Sequence, residues 1–132
     1  MSLVLDTHAV VWYLSNSDQL PLSARTAIEA AVGAASDIFL SAISLIEIIY
    51  LSEKGRLAPG ALPRLQDALK DPISGLVVVP VDRAVAEAVS QISRSRVPDM
   101  PDRIIGATAV HLRVPLVTRD RRLREAGIST IW

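Results

Sequence analysis

Four short apolar runs, Leu3-Val4-Leu5, Ile38-Phe39-Leu40, Leu76-Val77-Val78-Val79 and Leu116-Val117-Thr118, recur between segments that carry helix-capping and helix-stopping residues. A strand with one wet face alternates apolar and polar residues, whereas a strand buried on both faces is apolar throughout. Continuous runs alternating with helices therefore specify a parallel sheet with helices on either side. Helices are predicted over Ala9–Leu14, Ala24–Val32 with Ser23 as N-cap, Ala42–Lys54 ending at Gly55, and Leu62–Lys70 ending before Pro72. Further helices are predicted over Arg83–Ser93 capped by Asp82, over Asp102–Arg113 after a turn bracketed by Pro98 and Pro101, and from Asp120 to a stop at Gly127. Ser129–Ile131 offers a fifth strand. The expected fold class is α/β: one three-layer domain over residues 1–132, with a four- to five-stranded parallel sheet flanked by helices.

At 132 residues, half of them apolar, the chain is long enough to bury a core and too apolar to be disordered. No stretch free of Asp, Glu, Lys and Arg approaches the roughly 20 residues a membrane-spanning helix needs, so no membrane partner is expected. No basic segment precedes an apolar one at the N-terminus, so no signal peptide is expected. With no cysteine there are neither disulfides nor thiolate metal sites, and a reducing, cytoplasmic setting is the expectation.

Against that apolar background, four carboxylates stand where an apolar run ends or a helix begins: Asp6, Glu47, Asp102 and Asp120. In open parallel sheets ligands bind at the carboxyl ends of the strands. Asp6 and Asp120 lie at or just past such ends, and Glu47 and Asp102 enter from helices that can face the same edge. Each has a local alternative. Asp6, Asp102 and Asp120 suit helix N-termini, and Ser44-x-x-Glu47 matches a capping box. Ser41 is an equally good cap, and would place Glu47 inside its helix as the one charge in Ile43–Leu51. Together, however, two carboxylates about 5 Å apart repel by roughly 3 kcal/mol at an effective dielectric near 20, a large fraction of a domain's stability. A divalent cation relieves that repulsion. An all-oxygen donor set suits Mg²⁺ or Mn²⁺ and not Zn²⁺, and such ions activate water for attack on phosphodiesters. Thr7, Ser44 and Thr118 flank the carboxylates as accessory candidates, with local capping as the alternative. His8, two residues from Asp6, reads as surface or helix-facing filler, with a substrate contact as the alternative, and His111 reads as structural.

Net charge is zero, which argues against a protein that grips nucleic acid by bulk charge. The arginines are unevenly spread, however. Eight of the twelve fall between Arg94 and Arg124, and Arg119, Arg121, Arg122 and Arg124 crowd one turn. The functional reading makes these four, with Arg103, contacts to phosphate groups, because the guanidinium fork matches phosphate geometry. A solvated helix face is the alternative.

The segments Leu3–Ala9, Ser41–Glu47, Asp99–Ala109 and Pro115–Asp120, in this order and at this spacing, resemble the PIN domain, and within it the VapC-type toxins of bacterial toxin–antitoxin pairs. The resemblance spans essentially the whole chain. It implies a Mg²⁺- or Mn²⁺-dependent endoribonuclease whose catalytic and metal-binding carboxylates are Asp6, Glu47, Asp102 and Asp120, with Asp99 as an accessory residue. It also implies an RNA substrate, a small inhibitory antitoxin protein and a homodimer. Independently, Leu45, Ile46, Ile48, Ile49, Tyr50 and Leu51 make a helix apolar nearly all round, consistent with a second buried surface or with plain core. The rival reading is a catalytically idle PIN-like module that binds RNA or protein. A phosphate-receiving domain is disfavoured, since no lysine follows the strand at Thr118-Arg119-Asp120.

Overall fold

The computed structural model describes residues 1–132. Five strands, β1 (Leu3–Leu5), β2 (Ile38–Ser41), β3 (Leu76–Val79), β4 (Leu116–Val117) and β5 (Thr130–Ile131), form one parallel sheet in the order β3-β2-β1-β4-β5. The helices are α1 (Thr7–Leu14), α2 (Leu22–Gly33), α3 (Ala42–Glu53), α4 (Ala61–Lys70), α5 (Arg83–Ala88), α6 (Met100–Leu112) and α7 (Arg121–Arg124). The chain runs outward from β1 to β3, then crosses back to β4 on the other side of β1. The strand order therefore reverses at β1, and a crevice opens beyond the carboxyl ends of β1 and β4.

The apolar runs divide their residues between two cores, as the two-residue period of a strand requires. Leu3, Leu5, Ile38, Leu40, Leu76 and Val117 point to one face and pack with Val10, Trp12, Ile28, Ile48 and Leu65. Val4 and Leu116 point to the other and pack with Ile92, Val97, Ile105 and Leu123. Register ties the two halves together: Leu5 pairs with Leu40 on one side and Val117 on the other. Gly106 lets α6 approach closely, since a Cβ there would lie 3.1 Å from both Ile128 Cδ1 and Leu123 Cδ2. No helix is long and apolar enough to cross a membrane.

Several boundaries differ from the sequence expectation: α1 starts at Thr7 and not Ala9, α7 ends at Arg124 short of Gly127, and three others differ for reasons visible in the bonding. Ser23 is not the cap of α2. The Arg25 amide already bonds the Pro21 carbonyl at 3.0 Å, so the helical ladder starts two residues earlier and Ser23 lies inside it. The predicted helix over Arg83–Ser93 stops at Ala88 and tightens into a 3₁₀ turn over Val89–Gln91. There the Arg103 guanidinium takes the Val89 and Ile92 carbonyls, and Ile92 turns extended. Finally, α6 begins at Met100 with Pro101 in its first turn, where a missing N–H removes no helical bond.

Candidate active site

The crevice beyond β1 and β4 is built by caps. Asp6 leaves β1 in an extended conformation, with its amide bonded to the Val117 carbonyl of β4 at 3.1 Å. Its Oδ1 accepts the Ala9 amide at 2.8 Å and starts α1. Beyond β4, the buried Thr118 Oγ1 accepts the Asp120 amide at 3.0 Å, and Asp120 Oδ1 in turn accepts the Arg122 amide at 2.8 Å to start α7. Asp99 Oδ2 accepts the Asp102 amide at 3.1 Å and starts α6, which leaves Asp102 free of any capping bond in the first turn. The capping alternative thus holds for Asp6 and Asp120, but a cap occupies one carboxylate oxygen and leaves the other for the crevice.

Glu47 is different. Ser41 is the cap of α3, accepting the Ile43 amide at 3.2 Å, so Glu47 lies in the body of the helix and the capping box with Ser44 does not form. Instead Glu47 Oε1 lies 2.6 Å from Thr7 Oγ1, which is itself 3.0 Å from the buried Ser44 Oγ. Thr7 Oγ1 faces both groups as the donor, and its one proton serves the shorter contact to the carboxylate. This Ser44–Thr7–Glu47 relay fixes the carboxylate against α1.

The resulting cleft, about 420 Å³, is lined by Asp6, Glu47, Asp99, Asp102 and Asp120 together with Thr7, His8, Ile105 and Arg119. All four expected carboxylates and the accessory Asp99 therefore meet in one place. Their electrostatics show the crowding. Burial, the Asp120 and Asp99 charges, the Asp120 side chain within hydrogen-bonding reach and the Glu47 charge push the Asp102 carboxyl up to about 8. Burial also raises Asp6, outweighing the Thr118 hydroxyl, the Ala9 amide and His8, which pull it down, while Asp120 adds to the rise. Five oxygen-donor acids facing one cleft fit a hard divalent cation such as Mg²⁺ or Mn²⁺ by donor chemistry. No three of them stand as a ready-made ligand set, so ligation by three would need side-chain rotation.

The accessory residues and arginines sort themselves by contact. Ser44 and Thr118 do not line the cleft; they hold Thr7 and the Asp120 backbone. Arg103 is corrected from an RNA contact to a structural residue, because its guanidinium donates three bonds to the Val89 and Ile92 carbonyls. Arg121, Arg122 and Arg124 are exposed on α7 but do not line the cleft, and Arg121 pairs with Glu125 at 2.8 Å. Arg119 alone of the arginines reaches the cleft, and its guanidinium carbon sits 4.8 Å from the centre of the Trp12 ring. Sequence reasoning missed that stack, because nothing local links Trp12 to Arg119. It also set His8 aside as filler, although His8 lines the cleft; its place directly after Asp6 and Thr7 was the available signal.

A pH dependence follows from Asp102. Its folded-state pKa lies above the ordinary carboxylate value of 3.8, so the protonated form stabilises the fold. That contribution is complete below about pH 4 and is lost as pH rises through about 8. Asp102 is partly open to solvent, so the loss is discounted to the order of 1–2 kcal/mol. Urea denaturation of the metal-free protein is expected to show stability falling from pH 5 to 8. Asp102→Asn should flatten the fall, and an unchanged slope in that variant would remove Asp102 from the crowded set.

Comparison with known proteins agrees with this architecture. The sequence model of the PIN domain family matches residues 3–128. Ribonuclease VapC22 of Mycobacterium tuberculosis is 34% identical over 125 residues, which span 93% of this chain and 90% of that protein. Among solved structures, VapBC2 from Rickettsia felis bound to a DNA fragment from its promoter superimposes with a TM-score of 0.73 at 18% identity, covering 98% of this chain and 97% of that one. A toxin–antitoxin complex from Klebsiella pneumoniae gives a TM-score of 0.68 at 20% identity, covering 98% and 96%.

Proposed function

The chain belongs to the PIN domain family, and from that premise we propose that it is a metal-dependent endoribonuclease, the toxin of a toxin–antitoxin pair. One observation carries the proposal: Asp6, Glu47, Asp99, Asp102 and Asp120 face one cleft, where burial first and the neighbouring acids after it raise the Asp102 carboxyl above the ordinary carboxylate range. An array so unfavourable when empty has a use when a cation neutralises it. Mg²⁺ or Mn²⁺, when bound there, would supply an activated water and charge neutralisation at the phosphate.

The side chains divide that work. Asp6, Asp102, Asp120 and Glu47 are the proposed holders of the ion, with Asp99 beside them as an accessory acid. The relay through Thr7 and Ser44 keeps Glu47 aimed, and Thr118 keeps the Asp120 turn in place. Arg119, pinned over Trp12 at the mouth of the cleft, is placed to take a non-bridging phosphate oxygen. Arg121, Arg122 and Arg124 offer more distant backbone contacts, which position a strand without reading its bases.

The proposal includes an antitoxin partner and a homodimer in a cytoplasmic setting. Support comes from the surface of α3. Leu45 and Ile48 pack into the core, whereas Ile46 and Tyr50, one turn apart, are 49% and 59% exposed. The helix is therefore apolar all round because one face lacks a partner within the chain.

Cleavage of single-stranded RNA by the purified protein in Mg²⁺ tests the reading. Water as the attacking group leaves a 5′-phosphate and a 3′-hydroxyl, whereas attack by the ribose 2′-hydroxyl leaves a cyclic phosphate. Undiminished cleavage in EDTA, or 2′,3′-cyclic phosphate ends, would overturn the mechanism. RNA bound but uncut in Mg²⁺ would leave an idle binding module.

A further inference from the structure

A second groove, of about 480 Å³, runs beside the carboxylate cleft between α1 and the segment that leads into α4. It shares His8 and Arg119 with the cleft, so the two adjoin at these side chains. Its charge is opposite. The groove is lined by Arg56, Arg64 and Arg119 and by no carboxylate, whereas the cleft carries five acids. Arg56 and Arg64 are exposed and join neither of the chain's ion pairs, which use Arg83 and Arg121. Trp12, also in the lining, is only 8% exposed and is enclosed by Trp132, His8 and the Arg119 guanidinium. The indole is therefore the platform that holds Arg119 at the junction and not itself a stacking surface.

We propose that this groove seats the single-stranded RNA flank on one side of the scissile bond, with Arg56 and Arg64 contacting its phosphates and Arg119 guiding the strand into the cleft. The inference rests on the nuclease reading and extends it by naming the substrate path. A strand crossing the cleft must leave it, and this exit presents only cations and neutral groups to a polyanion. An acidic peptide running the same way would instead end against the carboxylates.

The test is fluorescence anisotropy of a short single-stranded RNA over a salt series, in EDTA so that cleavage does not obscure binding. Each lost phosphate contact lowers the slope of log K against log[salt] by about 0.7 for single strands, so Arg56→Ala with Arg64→Ala should lower it by about 1.4. The paired Arg→Lys variants, which keep both charges, should restore the slope. Arg83→Ala, on the exposed face of α5, should keep it. An unchanged slope in the double alanine variant overturns the assignment. So does an unchanged slope accompanied by lost antitoxin binding, which would make the groove the antitoxin's seat. The two readings fail separately. Wild-type protein that binds RNA with the arginine-dependent slope but never cuts it sinks the nuclease and leaves the groove. Wild-type cleavage with no slope change in the variant does the reverse.

Discussion

Asp6→Asn is expected to abolish RNA cleavage while raising the melting temperature of the metal-free protein. The two effects have one cause. Asp6 is the cap of α1 through one oxygen, and asparagine caps about as well as aspartate, so the helix start survives. The substitution removes the charge that burial and Asp120 disfavour, and the empty fold gains. The cleft loses one of its oxyanions. Groups that only orient a metal ligand contribute roughly 10–100-fold to metal affinity or activity, and loss of a ligand is expected to exceed the upper end of that range. Thermal melts with and without Mg²⁺, run beside cleavage assays, check both halves. The rise in melting temperature that Mg²⁺ gives the wild type should shrink in the variant, because ligand stabilisation follows affinity. If Asp6 is a cap and nothing more, melting temperature and cleavage both stay where they were.

Glu47→Gln is the second large effect, with the opposite balance of risks. The residue sits in the body of α3 with no capping duty, and its Oε1 lies 2.6 Å from the Thr7 hydroxyl. Glutamine preserves size and an acceptor oxygen for Thr7, so the fold should hold to within about 1 kcal/mol, the usual worth of one hydrogen bond. What disappears is the charge. Cleavage in limiting Mg²⁺ is expected to fall by about tenfold or more, with partial recovery as Mg²⁺ is raised, because a neutral amide still donates one oxygen. In the metal-free protein the loss of stability between pH 5 and 8 should also become shallower, since the Glu47 charge is among the causes that raise Asp102. Wild-type cleavage in limiting Mg²⁺ would remove Glu47 from the site.

The sheet was legible because burial on both faces leaves no alternation in Leu3–Leu5, the edge strand Leu76–Val79 is apolar throughout although Val77 is exposed, and the capping residues Asp82 and Ser41 did what their chemistry allows. The carboxylates were legible for a related reason. Asp6 and Asp120 follow β1 and β4, so the parallel topology brings them to one edge, and Glu47 and Asp102 reach it from α3 and α6. Boundaries were misread where a bond absent from the local sequence decided them. Arg103 shortened the helix after β3 by taking its carbonyls. The contacts that hold Thr7 and Arg119 lay beyond reach for the same reason. Thr7 meets Glu47 and Arg119 meets Trp12 only after β1, β2 and β4 are side by side, and no spacing rule encodes those meetings. The arginine cluster misled through proximity in sequence: Arg121 turns to Glu125, while Arg56 and Arg64, far from the cluster, line the groove that adjoins the cleft.

Direct titration of the purified protein with Mn²⁺, followed by the loss of the free-ion paramagnetic resonance signal, reaches the central claim without passing through an RNA substrate. Saturable binding by the wild type at neutral pH, greatly weakened in a variant carrying both Asp6→Asn and Asp102→Asn, is the predicted result. Binding should also weaken as pH falls below about 8, where Asp102 takes up its proton and no longer offers a charge. A wild-type protein that binds no Mn²⁺, or a double variant that binds it as the wild type does, would contradict the assignment of this cleft as a metal centre.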